Sequence, residues 1–230
     1  ATEYHVLIPD LPGFGTSDRP PLLYSASLYE TFVVDFCTDL TDEPIVVGSG
    51  LSGSYVALVA EEFEPSELVL LCPTDTTMGG ENQRPWVRGL LRSPVVGQAL
   101  FNAVVSKRSM RHFHADHGYY DMDKLTDERL SYEWQTAHQP GARFAPASFV
   151  GGYLDPEDSL REALAVIDVP VTLVWGREAS TTSLSAGRDL ADAVDARLVV
   201  FDEADLLPHV EHPEQFVDVL TGAVEIEETA

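Results

Sequence analysis

The sequence predicts an α/β fold with a doubly wound, mainly parallel sheet. Apolar, β-branched runs typical of buried strands alternate with stretches of helical period, both before residue 73 and after residue 159. The connections are short, which favours right-handed crossovers and parallel pairing. Residues 74–159 break this alternation and predict helices only. We therefore expect a core formed by residues 1–73 and 160–230, with residues 74–159 inserted as a helical lid.

The first part of the chain predicts three strands and two helices. Residues 4–9, YHVLIP, predict a strand that leads into a loop rich in glycine and proline. A helix is expected from Ser25 or Ser27, both N-cap candidates, because the following apolar residues fall on one helical face. Residues 45–47 predict a second strand, a glycine-rich turn leads it into another helix, and residues 68–72 predict a third strand.

The rest of the chain predicts helices in the insertion and then a return to alternation. The insertion is expected to hold helices over residues 85–91, 95–106 and 126–138. The later elements are expected to be a helix at 160–166, a strand at 171–175, a helix at 185–194, a strand at 197–201 and a last helix at 213–224, where Pro213 suits a first helical position.

The whole chain is organised around residues 45–60, IVVGSGLSGSYVALVA, a strand, a sharp turn and a helix. Such a turn holds either a phosphate or a nucleophile. Gly48, Gly50 and Gly53 match the G-x-G-x-x-G dinucleotide pattern, but no acidic residue closes the next strand as that site requires. The nucleophile pattern G-x-S-x-G reads Gly48, Ser49, Gly50, Leu51 and Ser52 here, so a glycine stands at the apex.

Four segments together resemble the α/β-hydrolase superfamily over nearly the whole chain: YHVLIPDLPGFGTSDRP, VVGSGLSGSYVAL, VTLVWGREASTTSLSAGRDLA and DEADLLPHVEHPEQF. The resemblance is to its lid-bearing members, such as esterases, epoxide hydrolases and haloalkane dehalogenases. It implies cleavage of ester, epoxide, carbon–halogen or carbon–carbon bonds through a Ser or Asp nucleophile, an acid and a His, with no cofactor. It also implies that Asp10 braces the loop after the first strand.

The resemblance places the triad on residues that carry no catalytic group. The nucleophile position is Gly50, the acid position is Ala179 and the histidine position is Leu206. The backbone N–H of Leu51 corresponds to one oxyanion donor, whereas the second would come from a loop before the first strand. Because that loop and its strand are absent here, we expect an N-terminally truncated product. Residues 4–9 should then lack support or leave an open slot beside the elbow strand.

Two functions follow from these residues. In the first, the chain is a hydrolase-fold protein without conventional triad catalysis that binds a small apolar molecule, or a partner, under its lid. In the second, it is a weak or unconventional hydrolase of an ester or related bond. That enzyme would use Ser52 or Ser49 with His209 and Glu178. A serine hydroxyl within hydrogen-bond reach of the His209 ring would favour the second.

The amino-acid composition limits the classes of partner that the chain is expected to bind. The chain carries 38 acidic and 14 basic residues, a formal charge of −24, which disfavours nucleic acid and anionic membranes. Acids spread along the whole chain are typical of a halophilic cytoplasmic protein. The sequence contains no membrane-length apolar run, and we expect no signal peptide. Cys37 and Cys72 predict buried free thiols. Residues 112–117, HFHADH, resemble a dizinc motif but fall in the helical insertion, so no metal is expected.

Overall fold

The computed structural model describes residues 4–40, 43–75 and 85–222 of the chain. The four strands are β1 (Ile45–Ser49), β2 (Glu67–Leu71), β3 (Val171–Gly176) and β4 (Arg197–Phe201). The helices are α1 (Ala26–Leu40), α2 (Leu51–Leu58), α3 (Ala60–Phe63), α4 (Pro85–Arg92), α5 (Gly97–Val104), α6 (Lys107–His117), α7 (Asp127–Ala137), α8 (Phe144–Val150), α9 (Leu160–Val166), α10 (Leu184–Val194), α11 (Pro208–Glu211) and α12 (Pro213–Leu220), with a 3₁₀ turn at Met122–Lys124.

The strands form one parallel sheet in the order β1-β2-β3-β4. Val47 stands beside Val69, and Val174 stands beside Val199. Since all four strands run in the same direction, their carboxyl ends lie along one edge of the sheet. The loops that carry the predicted site residues leave from this edge, where α/β folds place their ligand sites.

The inner strands β2 and β3 are buried on both faces and are mainly apolar, whereas the edge strand β1 exposes Ile45 and Val47. Leu68 and Leu70 of β2 point to a core that contains Tyr55 and Val56 of α2. The alternating residues Val69 and Leu71 point to the opposite core, where α12 contributes its apolar side chains. Helices on both faces of a parallel sheet confirm the predicted doubly wound α/β architecture.

The predicted strand at residues 4–9 is wrong. Residues 4–10 have no regular secondary structure, and Val6 and Ile8 are exposed. Among the described residues β1 pairs with β2 only, so its outer edge is open and Ile45 and Val47 lie exposed there. A strand needs a neighbour for its backbone hydrogen bonds, and residues 4–10 pair with no strand in the described part of the chain. The expectation that residues 4–9 would lack support matches this arrangement.

Between β2 and β3 the described residues form helices. We call residues 85–150, which contain α4 to α8, the helical segment. It includes α6 and α8, which the sequence pattern did not predict. The last helix, α12, ends at Leu220, and the predicted continuation to residue 224 runs past the described residues. Within the described ranges, no helix is both long and apolar enough to cross a membrane.

Candidate active site

The elbow predicted between β1 and α2 is present, with Gly50 at its apex. Gly50 has φ 56° and ψ −128°, a conformation that side-chain-bearing residues rarely adopt. Its N–H donates to the Leu71 carbonyl at 2.9 Å, which ties the turn to β2. Its carbonyl accepts from the N–H groups of Gly53 at 3.1 Å and Thr74 at 3.3 Å. The backbone therefore forms the predicted elbow, and the residue at its apex is a glycine.

The glycines of the elbow serve different purposes. A Cβ on Gly48 would lie 2.7 Å from the Cα of Gly53, so the close approach of strand and helix requires glycine there. A Cβ on Gly53 would lie 3.2 Å from the Gly48 carbonyl oxygen and 3.3 Å from Pro73. A Cβ on Gly50, in contrast, would meet no atom within 4 Å. Gly50 faces open space, as a catalytic side chain would.

The acid and histidine positions lie together in an apolar cluster. Ala179 is 9% exposed and packs with Cys72 and Trp175, and the partly buried Leu206 packs against the same cluster. Burial raises the pKa of the Cys72 thiol to about 12, so this sulfur stays protonated at neutral pH. Two hydrocarbon side chains therefore stand at the positions predicted for the acid and the histidine.

Glu178, the proposed substitute acid, is exposed and serves the neighbouring loop. Its Oε2 accepts from the Ala204 N–H at 3.1 Å, two residues before Leu206. Asp205 is 7% exposed, and its Oδ1 accepts from the backbone N–H of Ser180 at 2.9 Å and from the Ser180 hydroxyl at 3.3 Å. These bonds join the loops after β3 and β4. They give both carboxylates a positioning role in this structure.

His209, the proposed substitute base, lies in α11 with its ring against Phe216 of α12 at 5.7 Å between centroids. Its Nδ1 is buried and has no hydrogen-bond partner among the described residues. Burial, followed by the positive charge of Arg129, lowers the pKa of His209 to about 4. A base this weak at neutral pH is poorly matched to proton abstraction.

The two candidate nucleophiles flank the apex and are not brought to a base. Ser49 ends β1, Ser52 is the second residue of α2, and both are partly buried. No hydrogen bond among the described residues joins either hydroxyl to His209 or Glu178. Leu51 opens α2, so its N–H has no acceptor within the helix and stays available to an oxygen bound above Gly50.

Glu211 is a buried residue that the sequence did not single out. It is 4% exposed, and its two carboxylate oxygens accept from the Asp205 N–H at 2.8 Å and the Asp121 N–H at 3.0 Å. Asp121 belongs to the helical segment, so Glu211 fastens that segment to the loop that carries Leu206. The sequence feature that could have identified Glu211 is its place between His209 and Pro213, within the fourth segment that resembles the family.

The histidine motif of residues 112–117 is spread around the surface of α6. His112 approaches Asp116 at 3.3 Å, one turn along the helix, whereas His114 contacts Glu133 of α7 at 2.7 Å. The part of the chain that the structure describes contains no group of three or more side chains placed to hold a metal ion. Cys37 and Cys72 are buried free thiols, as predicted. Asp10 accepts from the N–H and hydroxyl of Thr16 and so braces its loop.

Comparison with known proteins agrees with the fold. The sequence profile of the alpha/beta hydrolase family matches residues 1–219. A pimeloyl-[acyl-carrier protein] methyl ester esterase of Aromatoleum aromaticum is 30% identical over 227 residues, which cover 95% of this chain and 87% of the esterase. Among solved structures, a meta-cleavage product hydrolase from Pseudomonas fluorescens superposes with a TM-score of 0.71 at 21% identity, covering 96% of this chain and 79% of its own. An esterase from Exiguobacterium antarcticum gives 0.69 at 16% identity, with 93% and 79% coverage.

Proposed function

The chain belongs to the α/β hydrolase family, and from that premise we propose that it binds a small apolar molecule without conventional triad catalysis. The observation that carries this proposal is the apex of the elbow. Gly50 keeps the backbone conformation of the site and the open space above it, but has no atom with which to attack.

The surroundings of Gly50 support the same conclusion. A serine hydroxyl is a poor nucleophile unless a base takes its proton, and the histidine position is Leu206. The acid that would orient such a base is replaced by Ala179, which packs in the same apolar cluster. Loss of a complete triad removes about six decades of rate, so binding is what remains for this site to do.

The contacts of the helical segment support a ligand site beneath it. Glu211 accepts from the Asp121 N–H, and the Ser180 hydroxyl donates to the Asp116 carbonyl at 3.3 Å. Both bonds fasten the segment to loops at the carboxyl edge of the sheet, where the elbow also opens. In this proposal the segment acts as a lid, and the space above Gly50 receives the apolar molecule.

Catalysis is tested by covalent labelling and turnover. We expect no labelling by a fluorophosphonate and no hydrolysis of p-nitrophenyl butyrate above a buffer blank. Gly50→Ser alone should stay inactive, because the new hydroxyl has no base, whereas Gly50→Ser with Ala179→Asp and Leu206→His should gain measurable activity. Stoichiometric labelling of the unmodified chain at Ser49 or Ser52 would overturn the proposal in favour of the unconventional hydrolase.

Binding is tested with the same ester, which an inactive protein leaves intact. Saturation-transfer NMR should detect p-nitrophenyl butyrate on the unmodified chain and lose the signal in Gly50→Leu, which fills the open space. Gly222→Leu is the matched control, since Gly222 also has a positive φ, 65°, and no atom within 4 Å of an added Cβ. Equal signals from both variants would show that the ester does not occupy the elbow.

A further inference from the structure

Four arginines gather where the helical segment meets the loop before α1. The chain has only 14 basic residues against 38 acidic ones, so a local excess of positive charge is unexpected. The four are Arg19 of the loop, Arg88 and Arg92 of α4, and Arg143 just before α8. We call them the arginine cluster.

Aromatic rings bring the guanidinium groups together. The Cζ atoms of Arg92 and Arg143 lie 5.1 Å and 4.3 Å from the centroid of the same ring, Phe144. Arg88 stands one helical turn from Arg92, and its Cζ lies 4.0 Å from the Tyr153 ring centroid. The pKa of Arg92 is lowered, first by burial and then by the positive charges of Arg88 and Arg143. The cluster therefore repels itself.

Hydrogen bonds to neutral groups explain part of this arrangement. Arg92 donates to the carbonyls of Leu22 at 2.6 Å and Pro21 at 3.1 Å, which clamps α4 to the loop. Arg143 donates through Nε to the Leu91 carbonyl at 3.0 Å and through one Nη to a Gln98 side-chain oxygen at 2.7 Å. These partners satisfy N–H groups but carry no negative charge, so the repulsion stays uncompensated.

Within the arginine cluster, Arg88 is not explained by the hydrogen bonds that hold Arg92 and Arg143. Its Nε is buried without a partner, as is the Nε of Arg19, and Arg88 donates no hydrogen bond to any described residue. No described acidic side chain forms an ion pair with any of the four arginines. In a chain so rich in carboxylates, the donors left unfilled on Arg88 and on the second Nη of Arg143 are the chemistry of a site for an external anion.

We propose that the arginine cluster binds a small oxyanion, a carboxylate or a phosphate group. A planar guanidinium matches either group with two parallel N–H donors. The anion would accept from Arg88 and from the second Nη of Arg143, and its charge would offset the repulsion centred on Arg92. The inference does not depend on the elbow, because none of these residues belongs to it.

The test is calorimetric titration of the full chain with potassium phosphate and, separately, with potassium acetate, at constant ionic strength maintained with potassium chloride. At least one anion should bind the unmodified chain, and which one binds assigns the site to phosphate or carboxylate. Arg88→Gln should weaken binding at least tenfold. Arg108→Gln, an exposed arginine on α6 with the same charge change, should alter it less than twofold.

Arg88→Lys is a control for a folding defect, because it keeps the positive charge but removes the two parallel N–H donors of the guanidinium group. We expect it to bind more weakly than the unmodified chain and more tightly than Arg88→Gln, with an unchanged circular dichroism spectrum. The proposal fails if neither anion binds, if Arg88→Gln and Arg108→Gln behave alike, or if chloride displaces both oxyanions at equal concentration, which would make the cluster a halide site.

Discussion

Placing a carboxylate at Ala179 tests the site most directly. Ala179 is 9% exposed and packs on Cys72 and Trp175, so Ala179→Asp buries a charge among apolar side chains. A buried charge without a partner costs about 3–5 kcal/mol, and the partial exposure of the adjacent Leu206 reduces this to about 2–4 kcal/mol at pH 8. The native pKa of the new carboxyl should rise above its unfolded value of about 3.9.

The sign of the pH dependence follows from that raised pKa. Above about pH 4 the unfolded chain has released the proton while the folded chain still holds it, so the free energy of unfolding falls as pH rises. The loss stops once pH passes the raised native pKa. Ala179→Asp should therefore be less destabilising at pH 5 than at pH 8, whereas the neutral control Ala179→Asn should show no such difference.

A histidine at the second position should recover part of the loss. Leu206→His alone should cost about 1–2 kcal/mol through lost apolar contact. Combined with Ala179→Asp it restores an acid beside an imidazole, and adjacent residues couple by about 0.5–3 kcal/mol. Urea unfolding followed by tryptophan fluorescence at pH 5 and 8, at fixed salt, measures the coupling. Additivity within about 0.3 kcal/mol would show that the two positions do not meet.

Three further changes test other parts of the structure. The pKa of His209 is about 4 in the folded chain and about 6.5 in the unfolded chain, so the free energy of unfolding should fall by up to about 2–3 kcal/mol as pH drops from 6.5 to 4. In His209→Gln, urea unfolding should no longer show this part of the pH dependence. Gly50→Ala should cost about 1–3 kcal/mol from its positive φ alone, whereas Gly48→Ala, which clashes with Gly53, should also shift the strand–helix packing seen in amide NMR shifts. With a formal charge of −24, thermal melting temperature should rise between low and multimolar potassium chloride, and equal values would contradict the halophilic interpretation.

The elements that the sequence predicted correctly have local signatures. Apolar runs predicted the strands at residues 45–47, 68–72, 171–175 and 197–201, each within two residues of its observed bounds. Residues 4–9 have the same composition but form no strand, because pairing depends on a neighbour that local composition cannot reveal. The helix α6 was missed for the opposite reason: none of its residues is buried, so it has no apolar stripe to detect.

Part of the candidate site could be predicted from the sequence and part could not. The turn with Gly50 at its apex, and the apolar residues Ala179 and Leu206, could be placed from motif frames. The surroundings of Glu178 and His209 could not, because they depend on loops and helices that meet only in the folded chain. The arginine cluster was likewise invisible, since its members come from three separate stretches of sequence.

Some residues of this site are required for strand–helix packing, whereas others would be required only for catalysis. Strand–helix packing requires glycine at Gly48, where an added Cβ would lie 2.7 Å from the Cα of Gly53, and leaves little room at Gly53, where an added Cβ would lie 3.2 Å from the Gly48 carbonyl oxygen. No such contact constrains the apex, which faces open space. At the other two positions, apolar side chains avoid the desolvation cost that a buried acid–histidine pair carries, and replacing such a pair by hydrocarbon is often neutral or stabilising. In the proposed function, a chain that keeps these glycines and has Ala179 and Leu206 at the predicted acid and histidine positions retains only the backbone geometry of the elbow. In the proposed function, the interactions open to a molecule above Gly50 are apolar contact and a hydrogen bond from the N–H of Leu51, which has no acceptor within its helix.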